Sequence, residues 1–357
     1  MPMLTRWLGV TETAAERNLA VEQAYSDAIL EKVLLMQASA AAKQHRPLCR
    51  GTHAKGIIVR ARFEILDIAT NHDPQLAARL AQGIFARPDV YAATVRFANS
   101  DSCVNSDFKG DIRALSFSVD LTSAASGIPV AGVERQDFTL QSAATLPLND
   151  APAFLATMQV ITASKPARAL WSLAFRDKLR VIRALTLAEL QARQPIQPYQ
   201  NLRYWSTVPF RHGPADVAKH SLTPAADNPA RPLAKNHPDA MQDELARHIN
   251  DDPAMSNFDF GIQLLDADKM TYWGKRRDAD FWIENASVRW KETESPFHTV
   301  ARLTLLPRSH LSADASDATY FDVTDHSTAE SRPLGSINRA RCPSEVASRQ
   351  ARISAAP

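Results

Sequence analysis

Cysteine is scarce in this chain, with three in 357 residues. Cys49, Cys103 and Cys342 lack zinc-type spacing, and their odd number argues against a disulfide framework. A reducing cytoplasm is therefore the expected compartment. Nowhere do roughly eighteen apolar residues run together, so no membrane-spanning helix is expected. The opening stretch from Met1 to Val10 is too short in apolar residues for a secretory signal. Charge of one sign is missing too: 41 Lys and Arg face 39 Asp and Glu, a formal net charge of +2. Such a balance gives no reason to expect nucleic acid. There is no Gly-rich phosphate loop and no Gly-x-Ser-x-Gly elbow, which leaves nucleotide binding and serine hydrolysis without support. His212, His220, His237, His298, His310 and His326 show no metal-ligand spacing, and no repeat of fixed period occurs.

What is present is a hydrophobic fraction of 45% with 22% charged residues, the balance of a globular protein with a sizeable core. Thr13-Ala-Ala-Glu16 has the form of a capping box before a helix running to about residue 43. Its apolar face would comprise Leu19, Ala20, Ala24, Ile29, Val33 and Met36. Such a helix can wrap a barrel or a partner subunit, or pack on its own core. From Ile57 to Ile65 apolar and charged residues alternate, which predicts a half-buried strand. A short helix is expected near Gln75–Phe85, and strands over 92–98 and 112–120. Asp150-Ala-Pro-Ala-Phe154 opens a helix, and 167–193 reads as a longer one. Strand-like runs return at Asn201–Phe210, Asn257–Leu265, Ala286–Trp290 and His298–Leu306. Many of the 22 prolines follow residue 195, and Thr223–Asp239 reads as a loop or crossover. These elements suggest an α+β fold, most economically an antiparallel barrel dressed with helices.

Three fragments carry more than composition can. They are Arg50-Gly51-Thr52-His53-Ala54-Lys55-Gly56, then Thr94-Val95-Arg96-Phe97, then Asp111-Ile112-Arg113. In order and spacing they resemble the distal-haem half of the catalase family, particularly the small bacterial catalase-like haem proteins and the catalase-like allene oxide synthases. The resemblance implies a single catalase-like antiparallel β-barrel domain over residues 45–357, preceded by an N-terminal helical arm at 1–44. It implies haem b as cofactor, His53 as the distal acid–base, and Arg50 and Arg96 as partners of the haem propionates. Phe97 and Phe154 would lie beside the haem, while Arg113 takes a structural role. Histidine suits the distal post because its pKa lies near neutrality. Arginines suit the propionates because they pair with carboxylates bidentately.

Thr52 stands where most hydrogen-peroxide catalases carry valine, and the allene oxide synthases carry threonine. Its hydroxyl can hydrogen-bond the histidine, which tilts the expected substrate toward an organic or lipid hydroperoxide. Gln141 falls at the family's distal asparagine (Ser142 if the register slips by one). Its extra methylene moves the amide by roughly 1 Å or more. At the other end, Arg332-Pro-Leu-Gly-Ser-Ile-Asn338-Arg-Ala-Arg341 resembles the terminal segment of the small bacterial relatives. There an Arg-x-x-x-Tyr helix supplies the tyrosine that binds iron. Here Arg341 is present and the tyrosine position is Glu345, with Ser348 and Arg352 still on pattern. Glu345 could bind iron as a carboxylate with Arg341 as counter-ion, or Cys342 could supply a thiolate. In a third reading haem is weakly held or absent, and the fold serves another purpose. Tyr320 is too far upstream to replace the missing residue on that helix.

The resemblance thus implies a haem-dependent hydroperoxidase of catalase or peroxidase type. The alternatives are a non-catalytic haem or hydrophobic-ligand binder, or an enzyme rearranging fatty-acid hydroperoxides. The short C-terminus leaves no room for the extra domain of large catalases. A homo-oligomer is expected. The helix after Pro166 mixes Arg168, Arg176, Lys178, Arg180 and Arg183 with apolar residues, so it can lie on an anionic membrane or pack on its own domain.

Overall fold

The computed structural model describes residues 19–355, apart from 131, 236, 253 and 312–318. The alternation after Lys55 becomes strand β1 (Gly56–Ile65). Ile57, Val59, Ala61, Phe63 and Ile65 enter the main apolar core, and Arg60 and Arg62 are exposed. On one side β1 continues through β2 (Asp89–Asn99), β3 (Arg113–Asp120), β4 (Arg135–Gln141) and β5 (Tyr204–Trp205). On the other side it pairs with β11 (Phe297–His310), followed by β8 (Asn257–Leu264) and β7 (Asp216–Pro224). β5 pairs with β7, closing a ring of eight strands whose pairings are all antiparallel. Closure removes the exposed edges that an open sheet would carry. A short β6 (Phe210–His212) extends from β7, and β9 (Thr271–Tyr272) with β10 (Lys275–Arg276) makes a separate hairpin.

Aromatic rings fill the barrel. Phe117 stacks on Phe138 at 4.7 Å, and Phe260 meets Phe138 edge-on at 5.2 Å. Offset and edge-to-face packing of this kind adds to the burial of the rings themselves.

Around the barrel lie α1 (Leu19–Gln44), α2 (Ile68–Asn71), α3 (Pro74–Leu80), α4 (Ala151–Ile161), α5 (Pro166–Ser172), α6 (Phe175–Ala192), α7 (Ala240–Asp251), α8 (Ala279–Glu284) and α9 (Ser336–Ala355). α4 starts where its sequence says it should. The Asp150 carboxylate accepts from the Ala153 N–H at 2.9 Å, and Pro152 occupies the first turn. α1 packs on α4 and α9 through Ile29, Val33, Ala151, Met158 and Ala340. The α+β class and the barrel dressed with helices are as expected.

Several local expectations change. The capping box at Thr13–Glu16 lies outside the described residues, and within α1 Ala24 is exposed. The buried stripe of α1 instead includes Glu22, Ser26 and Gln37; Glu22 accepts from Arg339, and the Gln37 amide donates to the Cys49 and Ser348 carbonyls. The helix near 75–85 stops at Leu80 and gives way to a 3-10 turn at Gly83–Phe85, where Gly83 takes a left-handed φ of +57°. The helix over 167–193 breaks between Ser172 and Phe175. Asn201–Phe210 holds only the two residues of β5 and the start of β6. Ala286–Trp290 is not a strand: its alternating apolar residues are buried in turns, and the Ala286 N–H donates to the Asn149 carbonyl at 2.9 Å.

Candidate active site

The barrel's outer face creates the site. Arg96 on β2 lies opposite Ser116 on β3, which lies opposite Thr139 on β4. One residue pair along, Ala98, Ala114 and Gln141 form the next outer row, ending at Trp205. Alternate positions on these strands, Val95, Phe97, Leu115, Phe117, Phe138 and Leu140, enter the barrel core. Large side chains therefore fill the inside, while the small Ala98, Ala114, Ser116 and Thr139 on the outside leave room above the sheet. The covering helices do not fill this room. A cavity of about 400 Å³ remains, within the range of cofactor and small-molecule sites. Among the residues lining it are Arg50, Thr52, His53, Arg96, Gln141, Phe154, Arg341, Glu345, Ser348 and Arg352.

Nearly all of the expected site residues meet there, and Phe97 does not. It is fully buried inside the barrel against Tyr199, Tyr204 and Phe258. The reason is the pleat: once Arg96 faces outward, its neighbour must face inward. Ser142 also stays out of the cavity, with its hydroxyl accepting from the Arg113 N–H at 2.9 Å, so Gln141 is the residue presented. The Gln141 amide donates to the Thr145 carbonyl at 3.2 Å. Arg113 points away and donates to the Asp107 carbonyl at 2.6 Å, the structural role expected of it. The side chain of Cys342 lies outside what is described.

His53 sits on a left-handed backbone, φ +58°, a conformation that costs a non-glycine residue roughly 1–2 kcal/mol. Its carbonyl accepts from Arg96 Nη2 at 2.7 Å, and its N–H donates to the Ser100 carbonyl at 3.2 Å. Its ring Nδ1 is 3.0 Å from Thr52 Oγ1. His53 is half-buried in the cavity wall. Burial, with Arg96, Arg50 and Arg341 nearby, pulls its pKa from 6.5 down to about 3. The imidazole is therefore neutral at physiological pH. Gly56 makes the arrangement possible, because a Cβ there would come within 2.7 Å of the Arg96 guanidinium and 2.5 Å of the Phe97 carbonyl.

On the C-terminal side, α9 carries Arg341 and Glu345 one turn apart, with Nε to Oε1 at 3.8 Å. Arg341 Nη2 also donates to Thr139 Oγ1 at 2.6 Å, tying α9 to the barrel wall. Glu345 Oε2 and Arg341 Nε have no hydrogen-bond partner within the described chain. Burial pushes the Glu345 carboxyl up from 4.5 to about 7; Asp322 and Asp137 add to this and Arg341 opposes it. Ser348 joins the two sides of the cavity: its hydroxyl accepts from the Gly51 N–H at 3.1 Å, and its carbonyl accepts from Gln37 of α1 at 3.1 Å.

Other lining residues were not expected at the site. Val33 reaches the cavity from α1, Thr207 lies on a left-handed turn after β5, and Tyr320, Asp322 and Asp325 come from an irregular segment. The Arg349 guanidinium lies 3.4 Å from the Tyr320 ring centroid, and Arg135 stacks on the same ring at 4.6 Å.

A search with the backbone returns solved structures that share this architecture. A fungal catalase superposes with a TM-score of 0.64 at 15% identity, covering 88% of this chain and 62% of its own. Catalase A from Saccharomyces cerevisiae gives 0.63 at 13% identity, covering 88% and 63%. A bacterial catalase gives 0.54 at 13%, covering 90% and 60%. This chain has the catalase fold. It spans less than two-thirds of the length of each of these three catalases. No family model and no curated protein matches the sequence. No helix among the described residues is long and apolar enough to cross a membrane, and no cluster of three or more His, Cys, Asp or Glu among them could hold a metal ion unaided.

The residues present suit a porphyrin bearing carboxylates. Five arginines (Arg50, Arg96, Arg341, Arg349 and Arg352) line a cavity with only three acidic residues, Asp322, Asp325 and Glu345. Leu146, Leu148, Phe154, Ile337 and Val346 give it an apolar wall. Glu345 Oε2, buried in the cavity wall without a hydrogen-bond partner, is an oxygen atom that a bound group could engage.

Proposed function

We propose that the chain is a haem-dependent hydroperoxidase, with haem b in the cavity above β2–β4 and an organic or lipid hydroperoxide as substrate. The observation that carries this reading is the convergence of His53, Thr52, Arg50, Arg96, Arg341 and Glu345 on that one cavity. Arg50 and Arg96 would hold the propionates, and Glu345, backed by Arg341, would ligate the iron. When bound, haem supplies the redox-active iron at which a peroxide O–O bond is cleaved. His53 supplies the proton management. With its Nδ1–H donating to Thr52 Oγ1, the neutral ring keeps Nε2 as the acceptor. That nitrogen takes the hydroperoxide proton and returns it to the departing oxygen. Gln141 can orient the peroxide through its amide, in place of the shorter asparagine. The apolar wall favours an alkyl hydroperoxide over hydrogen peroxide.

The test is turnover of cumene hydroperoxide and of a fatty-acid hydroperoxide by haem-loaded protein, followed by product analysis. With guaiacol added as electron donor to supply the two electrons that reduce the hydroperoxide, alcohol as product and a loss of about 100-fold or more in His53→Ala are expected for acid–base catalysis of this kind. A rearranged fatty-acid product would instead assign an isomerising enzyme. The glutamate in place of tyrosine favours a second reading, a non-catalytic binder of haem or an apolar ligand. Equal ligand binding and no turnover in both wild type and His53→Ala would establish that reading and overturn the first.

A further inference from the structure

α5 and α6 carry a face that the fold leaves uncovered. Val181 packs the inner side of α6 against Ala156 and Val160 of α4, and Ala184 is also buried. On the opposite side Phe175 is 75% exposed, Leu179 53%, Ile182 50% and Leu190 58%, and Trp171 of α5 is 74% exposed. Their separations of 4, 3 and 8 residues along α6 keep Phe175, Leu179, Ile182 and Leu190 within one stripe of a helix with 3.6 residues per turn. Lys178 Nζ lies 5.4 Å from the Trp171 ring centroid, which ties α5 and α6 into a single surface. α6 is thus apolar on two faces, one packed against α4 and the other largely exposed. Contiguous exposed apolar surface of this kind marks an interaction site.

The charges around it say what the partner is. By helix geometry Arg176 and Arg183 flank the stripe on one side and Lys178 on the other. Over residues 165–193 the chain has seven basic side chains against two acidic ones, Asp177 and Glu189, in a protein of net charge +2. A second copy docked on this face would bring two cationic patches together. An anionic lipid surface matches the charge and accepts the apolar stripe, and Trp171 suits the water–lipid boundary. We infer that α5 and α6 form a peripheral membrane-docking face that binds anionic phospholipid headgroups, with Trp171, Phe175, Leu179 and Ile182 entering the interface. No helix among the described residues is long and apolar enough to cross the bilayer. The face lies apart from the haem cavity, and docking does not depend on haem.

Flotation of the full chain with vesicles tests this. Binding to phosphatidylcholine vesicles containing phosphatidylglycerol, little binding to phosphatidylcholine alone, and weakening by salt are expected. Phe175→Ser with Leu179→Ser should abolish binding while leaving the far-ultraviolet circular dichroism unchanged, since both side chains are exposed. Arg176→Glu with Lys178→Glu should weaken it about fivefold or more for each charge changed. Equal binding to both vesicle types, or binding to neither, overturns the inference. So does a solution dimer that the Phe175→Ser, Leu179→Ser variant dissociates, which would assign the face to a second copy.

Discussion

At the scale of single residues, the site depends on two backbone positions as much as on its side chains. His53 occupies the left-handed region, so His53→Gly should unfold at higher denaturant than His53→Ala, by about 1–2 kcal/mol. The imidazole also gives stability a pH dependence. Its pKa is about 3 folded against 6.5 unfolded, so below 6.5 the unfolded chain binds the extra proton first. Stability should fall as pH drops from 6.5 toward 3, and urea titrations across that window should show a shallower fall in His53→Ala. Gly56 leaves no room for a Cβ beside Arg96. Gly56→Ala should displace the guanidinium and lower haem occupancy several-fold, read from the absorbance ratio of haem to protein; unchanged occupancy would mean that Arg96 does not hold a propionate. A third residue is costly with no role in the site. Lys219 on β7 is buried with its amine unpaired above the Trp290 ring, and burial alone pulls its pKa from 10.5 to about 7. Between those values the unfolded chain takes up the proton, so stability rises with pH. Lys219→Met should therefore stabilise by a few kcal/mol below about pH 7, with the gain vanishing as pH passes 10.5. Most of the site's polar residues were legible because short motifs keep them together. Tyr320, Asp322 and Thr207 were not, since irregular backbone brings them in and no periodicity marks it.

At the scale of elements, α9, the His53 loop and α1 act as one clamp. Gly51 is pressed between Ser348 and Val33, where a Cβ would meet the Ser348 hydroxyl at 3.1 Å and the Val33 side chain at 3.2 Å. Lys55, one position past the motif's alanine, anchors the other end of the loop. It pairs with the fully buried Asp107 at 2.8 Å, and Asp107 in turn accepts from Asn99 and from the Met241 N–H at the start of α7. Lys55→Met would leave that carboxylate buried without its counter-ion, a loss of about 3–5 kcal/mol readable by chemical denaturation. A change below 1 kcal/mol would mean that the pair contributes nothing. Elements with a clean period were legible in the sequence: β1 from its alternation, α4 from its Asp-x-Pro start. β7 was not, because His220 interrupts its inward row of Ala218 and Leu222, and buried Lys219 and Ser221 make the outward row look solvated. α7 has a legible signal in Met241, Leu245 and Ile249, one face of a helix, but it sits behind a Pro- and Asn-rich stretch that reads as loop.

At the scale of the whole molecule, the catalase fold is retained at 13–15% identity to the catalases it superposes on. The barrel survives such divergence because large apolar residues fill its inside, a pattern many sequences satisfy. The cavity above β2–β4 brings arginines and a histidine together with a glutamate from α9. The proposed function rests on that cavity binding haem. The absorption spectrum of protein purified with haem supplied during expression tests this most directly. A Soret band at near-stoichiometric haem, falling in Glu345→Ala, is predicted. A folded protein by circular dichroism with no Soret band would contradict the account, leaving the catalase likeness as a matter of fold alone.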